Sequence, residues 1–445
     1  MYNEPLRPQF HFTARAGWLN DPNGLVFFDG VYHMFFQHNP FDTKWGNMTW
    51  GHAVSPDLVH WRQVENALHP DRLGTAFSGS AAVDWRTTTG FGEAGVPPIV
   101  AMYTSAGGTS PESAGQPFTQ SLAFSADGGK TWEKFAGNPV LGHIVESNRD
   151  PRILWHEPTE SWVMALYLDK NDYALFTSPN LKNWTRTCDV AITDTSECPD
   201  LFPMALDDDP AHVKWVFWGA NGCYLLGAFD GETFVPEEGP CRLDSGANFY
   251  AAQTWSDIPE ADGRRIQIGW MNGGQYPGMP FNQQMSFPCA LSLRSTPAGV
   301  RLCQMPVREI ECLREDSVIR TDVALLPGRL LDALASELLD IEAEIEPWRA
   351  KAVEWSIRGN AIRYDAEKHL LSCCGKEAHV DLAGGLLRLR ILLDRTSLEL
   401  FSGDGNVGFH QCFLPDAANP GVDLVAHGGE ARMRSLAVHR LRSAW

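Results

Sequence analysis

Between Leu25 and about residue 300, apolar and aromatic residues come in short runs, separated by clusters of Gly, Pro, Asn and Asp. Runs at 31–37, 99–105, 162–167, 213–219 and 265–271 are rich in Val, Phe, Tyr and Trp, the composition of strands. No long 3.6-residue periodicity occurs there, so the pattern predicts an all-β domain. One phrase repeats. Ser55-Pro56-Asp57-Leu58 leads to Trp61, Ser125-Ala126-Asp127-Gly128 to Trp132, and Ser178-Pro179-Asn180-Leu181 to Trp184; Phe229-Asp230-Gly231 before Phe234 is a fainter copy. Each reads as a strand, a polar turn and a strand opened by an aromatic. The last three recur about every 50 residues, the size of a propeller blade. The longer first interval predicts an insertion, with 87–95 and 107–116 as candidates.

Near residue 305 the texture changes. Pro306-Val307-Arg308-Glu309-Ile310 is polar enough for a short helical linker. The stretch 325–345 is rich in Leu, Ala and Glu, but acidic and apolar residues alternate over 338–346, which favours a strand. Alternation continues in 353–357, 386–393 and 397–401, and Asp404-Gly405-Asn406 signals a hairpin. The expected organisation is a propeller over 1–305, a linker over 306–317 and a β-sandwich over 318–445.

Bulk properties narrow the function. A chain of 445 residues with 44% hydrophobic and 20% charged residues is a globular protein of more than one core. A net charge of −19 speaks against nucleic acid or an anionic membrane as partner, and no run has the length of a membrane span. The opening Met1-Tyr2-Asn3-Glu4-Pro5 has no secretory pattern, and the 10 scattered cysteines include no C-x-x-C. Both point to free thiols and a cytoplasmic location, or to a secreted one were the chain a trimmed mature form. The 14 histidines lack metal-ligand spacing, and Asp207-Asp208-Asp209 reads as a solvated loop, so no metal and no cofactor is expected. Phosphate-loop and zinc-protease motifs are absent, and Phe77-Ser78-Gly79-Ser80 matches a serine-hydrolase elbow only loosely. The 16 Trp residues suit platforms for sugars.

Three acids stand out by context. Asp21 lies in Trp18-Leu19-Asn20-Asp21-Pro22-Asn23-Gly24, which reads as a tight turn ahead of an apolar run. Asp150 lies in Asn148-Arg149-Asp150-Pro151, and Glu197 in Glu197-Cys198-Pro199-Asp200 among apolar neighbours. All three precede stretches fit to be inner strands of blades, which would bring them to one end of a central channel. Clustered carboxylates in a Trp-lined pocket suit glycoside hydrolysis, in which one acid attacks and another donates a proton. Arg149 is placed either to keep a neighbouring carboxylate ionised or to bond sugar hydroxyls.

On these residues the chain resembles glycoside hydrolase family 32, the β-fructofuranosidases. Trp18–Gly24 is similar to the family's nucleophile motif, with Leu19 where Met is more usual. Phe36-Gln37-His38-Asn39-Pro40, Trp45-Gly46-Asn47-Met48-Thr49-Trp50-Gly51-His52-Ala53, Phe77-Ser78-Gly79-Ser80, Arg149-Asp150-Pro151, Glu197-Cys198-Pro199-Asp200, Phe249-Tyr250-Ala251-Ala252-Gln253-Thr254 and Gly269-Trp270-Met271 follow in the family's order. The resemblance covers nearly the whole chain and implies a five-bladed β-propeller followed by a β-sandwich. It implies Asp21 as nucleophile, Glu197 as general acid/base and Asp150 as transition-state stabiliser, with Trp18, Asn20, Gln37, Trp45, Phe77, Ser78, Arg149 and Trp270 binding the substrate. The implied reaction is retaining release of fructose from fructans such as levan or inulin, from fructo-oligosaccharides or from sucrose. Trp255-Ser256-Asp257-Ile258-Pro259 looks closest to exo-levanases and inulinases, whereas 273–284 departs from their pattern on what the resemblance makes the leaving-group side. Two alternatives stay open: a fructosyltransferase with the same three acids, and a non-catalytic fructan binder, against which retention of all three acids argues. The sandwich is expected to support the propeller or to join copies into a homo-oligomer.

Overall fold

The computed structural model describes residues 2–92, 96–325, 336–416 and 418–445. The end of the 87–95 insertion candidate, residues 326–335 of the Leu-rich stretch, and Met1 lie outside the described residues. Up to Pro306 twenty of the strands among the described residues fall into five consecutive antiparallel groups of four, and one more, Phe281–Asn282, pairs in parallel with Gly17–Phe28. The innermost strand of each group is its first in sequence: Gly17–Phe28, Thr75–Val83, Arg149–His156, Asp200–Leu206 and Tyr250–Thr254. These inner strands neighbour one another in a ring. Ser80 Oγ donates to the Pro151 carbonyl (2.8 Å), Asp200 Oδ2 accepts from Thr254 N (2.8 Å), and Val26 bridges to Ser256. The ring is the propeller that the sequence predicts. Its channel is plugged midway, where Arg152 Nε meets Asp200 Oδ1 at 2.7 Å and Arg152 Nη2 donates to Thr254 Oγ1 at 3.2 Å.

The repeated phrase turns out to be the corner between the third and fourth strands of the first four blades. Asp57, Asp127, Asn180 and Asp230 each accept, on one side-chain oxygen, two backbone N–H groups of the following turn. Trp61, Trp132 and Trp184 then donate their indole N–H back to Leu58, Gly129 and Leu181. A short side chain that replaces backbone partners is why Asp or Asn stands there. The fifth blade lacks the phrase, because Cys289–Thr296 and Gly299–Pro306 join through Pro297 and Ala298 alone. Residues 107–116 form a surface connection in the second blade, with one 3₁₀ turn at Pro111–Ser113.

The second domain is a sandwich of a six-stranded and a five-stranded antiparallel sheet. Between them lies a core that includes Ile341, Ile345, Trp355, Leu371, Ile391 and Leu424. The expected linker is not a free connection. It contains a 3₁₀ helix, Arg308–Leu313, and the first sandwich strand, Arg314–Leu325, already begins within it. The reason is apolar: Ile310 and Leu313 are buried in a core shared with Phe12, Phe36, Trp255, Phe287, Leu392 and Phe401. That core fuses the two domains.

A buried chain of charges crosses the same interface. Asp394 accepts the backbone N–H groups of Gln9, Phe10 and His11, and its Oδ2 lies 2.9 Å from His11 Nδ1. His11 Nε2 faces Glu399 (3.4 Å), Glu399 faces His410 Nε2 (3.3 Å), and His410 Nδ1 meets Asp244 (2.6 Å). Burial alone would push the His11 imidazole down, but Glu399 and Asp394 outweigh it and hold it up at about 9. A histidine raised in the folded state stabilises fully below its ordinary 6.5, and that contribution is lost as pH rises through 9. His11→Asn is therefore expected to lower the melting temperature at pH 6.5, by a loss on the order of 3 kcal/mol. The gap to the parent should narrow above pH ~9 in thermal scans, and a pH-independent gap would refute the charged imidazole.

Candidate active site

Asp21 is not in a tight turn. Trp18–Gly24 belongs to the first inner strand, Gly17–Phe28, and is a strand with two breaks in register, between Leu19 and Pro22 and between Asn23 and Val26. The letters of a turn and of a bulged strand coincide here. Pro22 donates nothing to a ladder, and Gly24 sits at φ 53° with ring carbons of Phe35 and Trp50 only 2.7 and 2.8 Å from where a Cβ would be. Such irregularities re-aim side chains. Asp21 Oδ1 accepts from Asn20 Nδ2 (3.0 Å) and Oδ2 from Ser78 Oγ (2.6 Å), a residue of the second inner strand. Trp18 Nε1 donates to Asn20 Oδ1 (2.8 Å), which turns the amide so that its NH₂ faces Asp21.

Asp150 and Glu197 sit at the same mouth on strained backbone. Asp150 has φ 64°, Glu197 60° and Cys198 39°. Left-handed conformations of residues with side chains cost roughly 1–3 kcal/mol each and persist only where surroundings over-determine them. Here they do. Asp150 N donates to Thr104 Oγ1 (3.0 Å), and Thr104 Oγ1 donates to Gln120 Oε1 (2.7 Å). The Glu197 carbonyl accepts from Ala220 N (3.1 Å) and from the Tyr173 hydroxyl (3.3 Å). Cys198 N then donates to Asp150 Oδ2 (3.1 Å), and its thiol lies 3.7 Å from Asp21 Oδ2 and 3.6 Å from Asp150 Oδ2.

Arg149 joins the acids. Its Nη2 donates to Glu197 Oε1, its Nε lies 3.7 Å from Asp150 Oδ2, and its guanidinium covers the Tyr167 ring at 4.9 Å. The other Glu197 oxygen accepts the Tyr250 hydroxyl. Burial raises Asp21 above the usual carboxylate range, against the hydrogen bonds from Ser78 and Asn20, and the Glu197 charge adds to the rise. Burial likewise pushes Asp150 up to about 7, with Arg149 pulling down and Glu197 and Asp21 pushing further up. Burial and mutual repulsion thus push both Asp21 and Asp150 toward their protonated forms, and a proton held among clustered carboxylates is what acid/base chemistry needs.

Trp18, Asn20, Asp21, Ser78, Arg149, Asp150 and Glu197 thus converge. Trp270 joins them edge-on to Trp18 (6.2 Å) and Tyr250 (6.3 Å). Phe77 and Trp45 pair at the rim, centroids 5.9 Å apart, with Trp45 56% exposed. Gln37 is buried beneath, its amide donating to the Ala76 carbonyl (3.1 Å). Sequence reasoning missed Tyr250 and Cys198 as members of the site, although both stand inside motifs it had singled out. Asp207, Asp208 and Asp209 are engaged by Ser295, Arg294 and His212 respectively.

Residues 11–306 match the family model described as glycosyl hydrolases family 32 N-terminal domain, and 337–440 match the family's C-terminal model. A levanase of Bacillus subtilis is 37% identical, the match spanning 100% of this chain and 72% of the levanase. An extracellular exo-inulinase of Aspergillus ficuum is 30% identical across 100% of this chain and 96% of its own. Among solved structures, the exo-inulinase of Aspergillus awamori superposes with a TM-score of 0.90 at 28% identity over 100% of both chains. A Schwanniomyces occidentalis fructofuranosidase complexed with fructose superposes with a TM-score of 0.87 at 26% identity over 99% of both.

A buried acid raised in the folded state favours folding at low pH, a contribution lost as pH rises through its folded value. For Asp150 that window runs from its ordinary 3.8 to about 7. Asp150→Asn is expected to stabilise the ligand-free protein at pH 8, by as much as a few kcal/mol, and to be nearly neutral at pH 4. Melting temperatures of the two proteins across that range check it; equal stability at pH 8 would contradict the buried charge.

Proposed function

The chain belongs to glycosyl hydrolase family 32, and from that premise we propose that it is a retaining β-fructofuranosidase. It releases fructose from the non-reducing ends of fructans, fructo-oligosaccharides and sucrose. The observation that carries the reading is the unequal holding of two acids around a third. Asp21 accepts from two neutral donors, Asn20 and Ser78, and keeps the open face of its carboxylate for attack. Glu197 stands between Arg149 and Tyr250, which receive its negative charge once it gives up a proton.

In this mechanism Asp21 attacks C2 of the fructosyl unit while Glu197 protonates the departing glycosidic oxygen. An ester on Asp21 forms and the leaving sugar departs as an alcohol. Glu197, now a base, takes a proton from water, which adds to C2 and frees Asp21. Asp150 accepts hydrogen bonds from fructose hydroxyls and faces the positive charge that develops on the ring. Trp18, Trp270, Phe77 and Trp45 close the fructose subsite with apolar faces, Arg149 supplies donors, and Gln37 supports the subsite from below.

The leaving sugar belongs on the Glu197 side. A depression of about 580 Å³ adjoins it, lined by Tyr250, Ser196, Asn221, Asp194 and Tyr167. Residues of 273–282 instead line a smaller depression of about 370 Å³ with Thr43 and Lys44, and Tyr276 is buried there. A homo-oligomer joined through the sandwich forms part of the proposal, supported by Ile319, 61% exposed on an outer strand. All ten cysteines are free thiols, which favours a reducing compartment.

A panel of sucrose, 1-kestose, inulin and levan with products resolved over time tests the reading. Fructose from each supports it, new oligosaccharides at high sucrose mark transfer, and no product from any refutes it. Asp21→Asn and Glu197→Ala should each lose activity by about 10³-fold or more while melting as folded proteins. Glu197→Ala, given a substrate with a good leaving group, should accumulate a fructosyl ester on the Asp21 peptide by mass spectrometry. An ester on any other residue would displace Asp21 from its role.

A further inference from the structure

A cavity larger than the depression beside Glu197 lies away from the carboxylates. It has a volume of about 940 Å³ and lies at the opposite mouth of the propeller, where two inner strands end at Val83 and His156, the fourth passes Pro203, and residues 256–257 follow the fifth. The Arg152–Asp200–Thr254 plug separates it from the catalytic mouth. Its size is that of a small-molecule site.

Aromatic rings from three blades line this cavity: Trp85, Trp155, Trp215 and Phe229. Trp85 is 60% exposed at the rim, although its indole N–H is fixed on Asp257 Oδ1 (2.9 Å), so its ring is held in place. Trp155 is fixed in the same way, by its N–H on Glu157 Oε2 (2.7 Å). The Arg86 guanidinium lies over the Trp155 ring at 5.3 Å, whereas Trp85, locked at its edge and exposed on its face, is a pre-organised platform. The charges balance. The lining sets Arg86, Arg152 and Arg265 against Asp84, Glu157 and Asp257; Arg86 pairs with Glu157, Arg152 with Asp200 beneath, and Asp257 takes the Trp85 and Val83 N–H groups. Such a lining offers nothing to an ion. One donor group is left under-satisfied: Arg265, half-buried in the lining, gives one long bond to the Trp255 carbonyl (3.4 Å) and has no ion-pair partner among the described residues. An under-satisfied donor in such a lining favours a ligand oxygen.

We propose that this distal mouth is a second, non-catalytic binding site for a short neutral saccharide, which stacks a pyranose face on Trp85, beside Trp155, and presents a hydroxyl to the Arg265 guanidinium. An aromatic face, balanced charge and an under-satisfied donor together select an uncharged polyhydroxyl ligand with an apolar ring face. The site does not depend on the catalytic assignment, so each can fail alone.

Glucose and sucrose serve as probes for the Glu197→Gln enzyme labelled with 5-fluorotryptophan. The Trp85 and Trp155 ¹⁹F resonances, assigned by their loss in Trp85→Phe and Trp155→Phe, should shift saturably with either sugar at millimolar concentration (Kd on the order of 1–10 mM). Trp85→Ala should weaken the Trp155 response at least about 10-fold, and in the otherwise parent enzyme it should leave kcat/KM for sucrose unchanged. Trp85 is exposed, so this variant folds. Silence of both resonances up to about 50 mM of either sugar, or a Trp155 titration unaltered by Trp85→Ala, would overturn the proposal.

Discussion

Three carboxylates at one mouth repel one another, and the arrangement stands because Arg149 lies between two of them. Everything around the site serves that compromise. The guanidinium is itself held on the Tyr167 ring and the Ser147 carbonyl. The backbone at Asp150, Glu197 and Cys198 is forced into left-handed conformations to bring the acids within its reach. The strain is tolerable because the inner strands are locked to one another by Ser80, Asp200 and Thr254, and Thr104 of a neighbouring strand holds the Asp150 backbone, all of them buried.

The fused second domain extends the same logic. A propeller whose first inner strand carries Asp21 into the cluster of acids needs that strand anchored. The chain leading into it, Gln9 to His11, is clasped by Asp394 of the sandwich. Apolar burial supplies most of the interface through Phe12, Phe287, Phe401 and their neighbours. The histidine–carboxylate chain adds register, since buried charges tolerate only the alignment that pairs them.

What was legible in the sequence was mostly what is local. The blade corners could be read because one Asp or Asn side chain caps a turn within three residues of itself. The fifth blade hid because its corner is shorter and carries no such cap. Trp18–Gly24 reads as a turn because proline and glycine break a ladder in the same letters whether the chain reverses or only bulges; distinguishing them needs the partner strand Val31–Asn39. The three acids were found by their company of aromatics and proline. Tyr250 and the central place of Cys198 depend on contacts across some fifty residues and more, which no local pattern encodes. The distal cavity was invisible for the same reason: its rings come from strand ends and loops of separate blades.

The plug at Arg152 and Asp200 has a kinetic meaning. A channel closed at its waist gives the reacting centre one doorway. The departing sugar, the incoming water and any competing sugar alcohol all pass through it. Whether the fructosyl group goes to water or to another sugar then becomes a question of traffic: how soon the first passenger clears the entrance, and which one is waiting behind it.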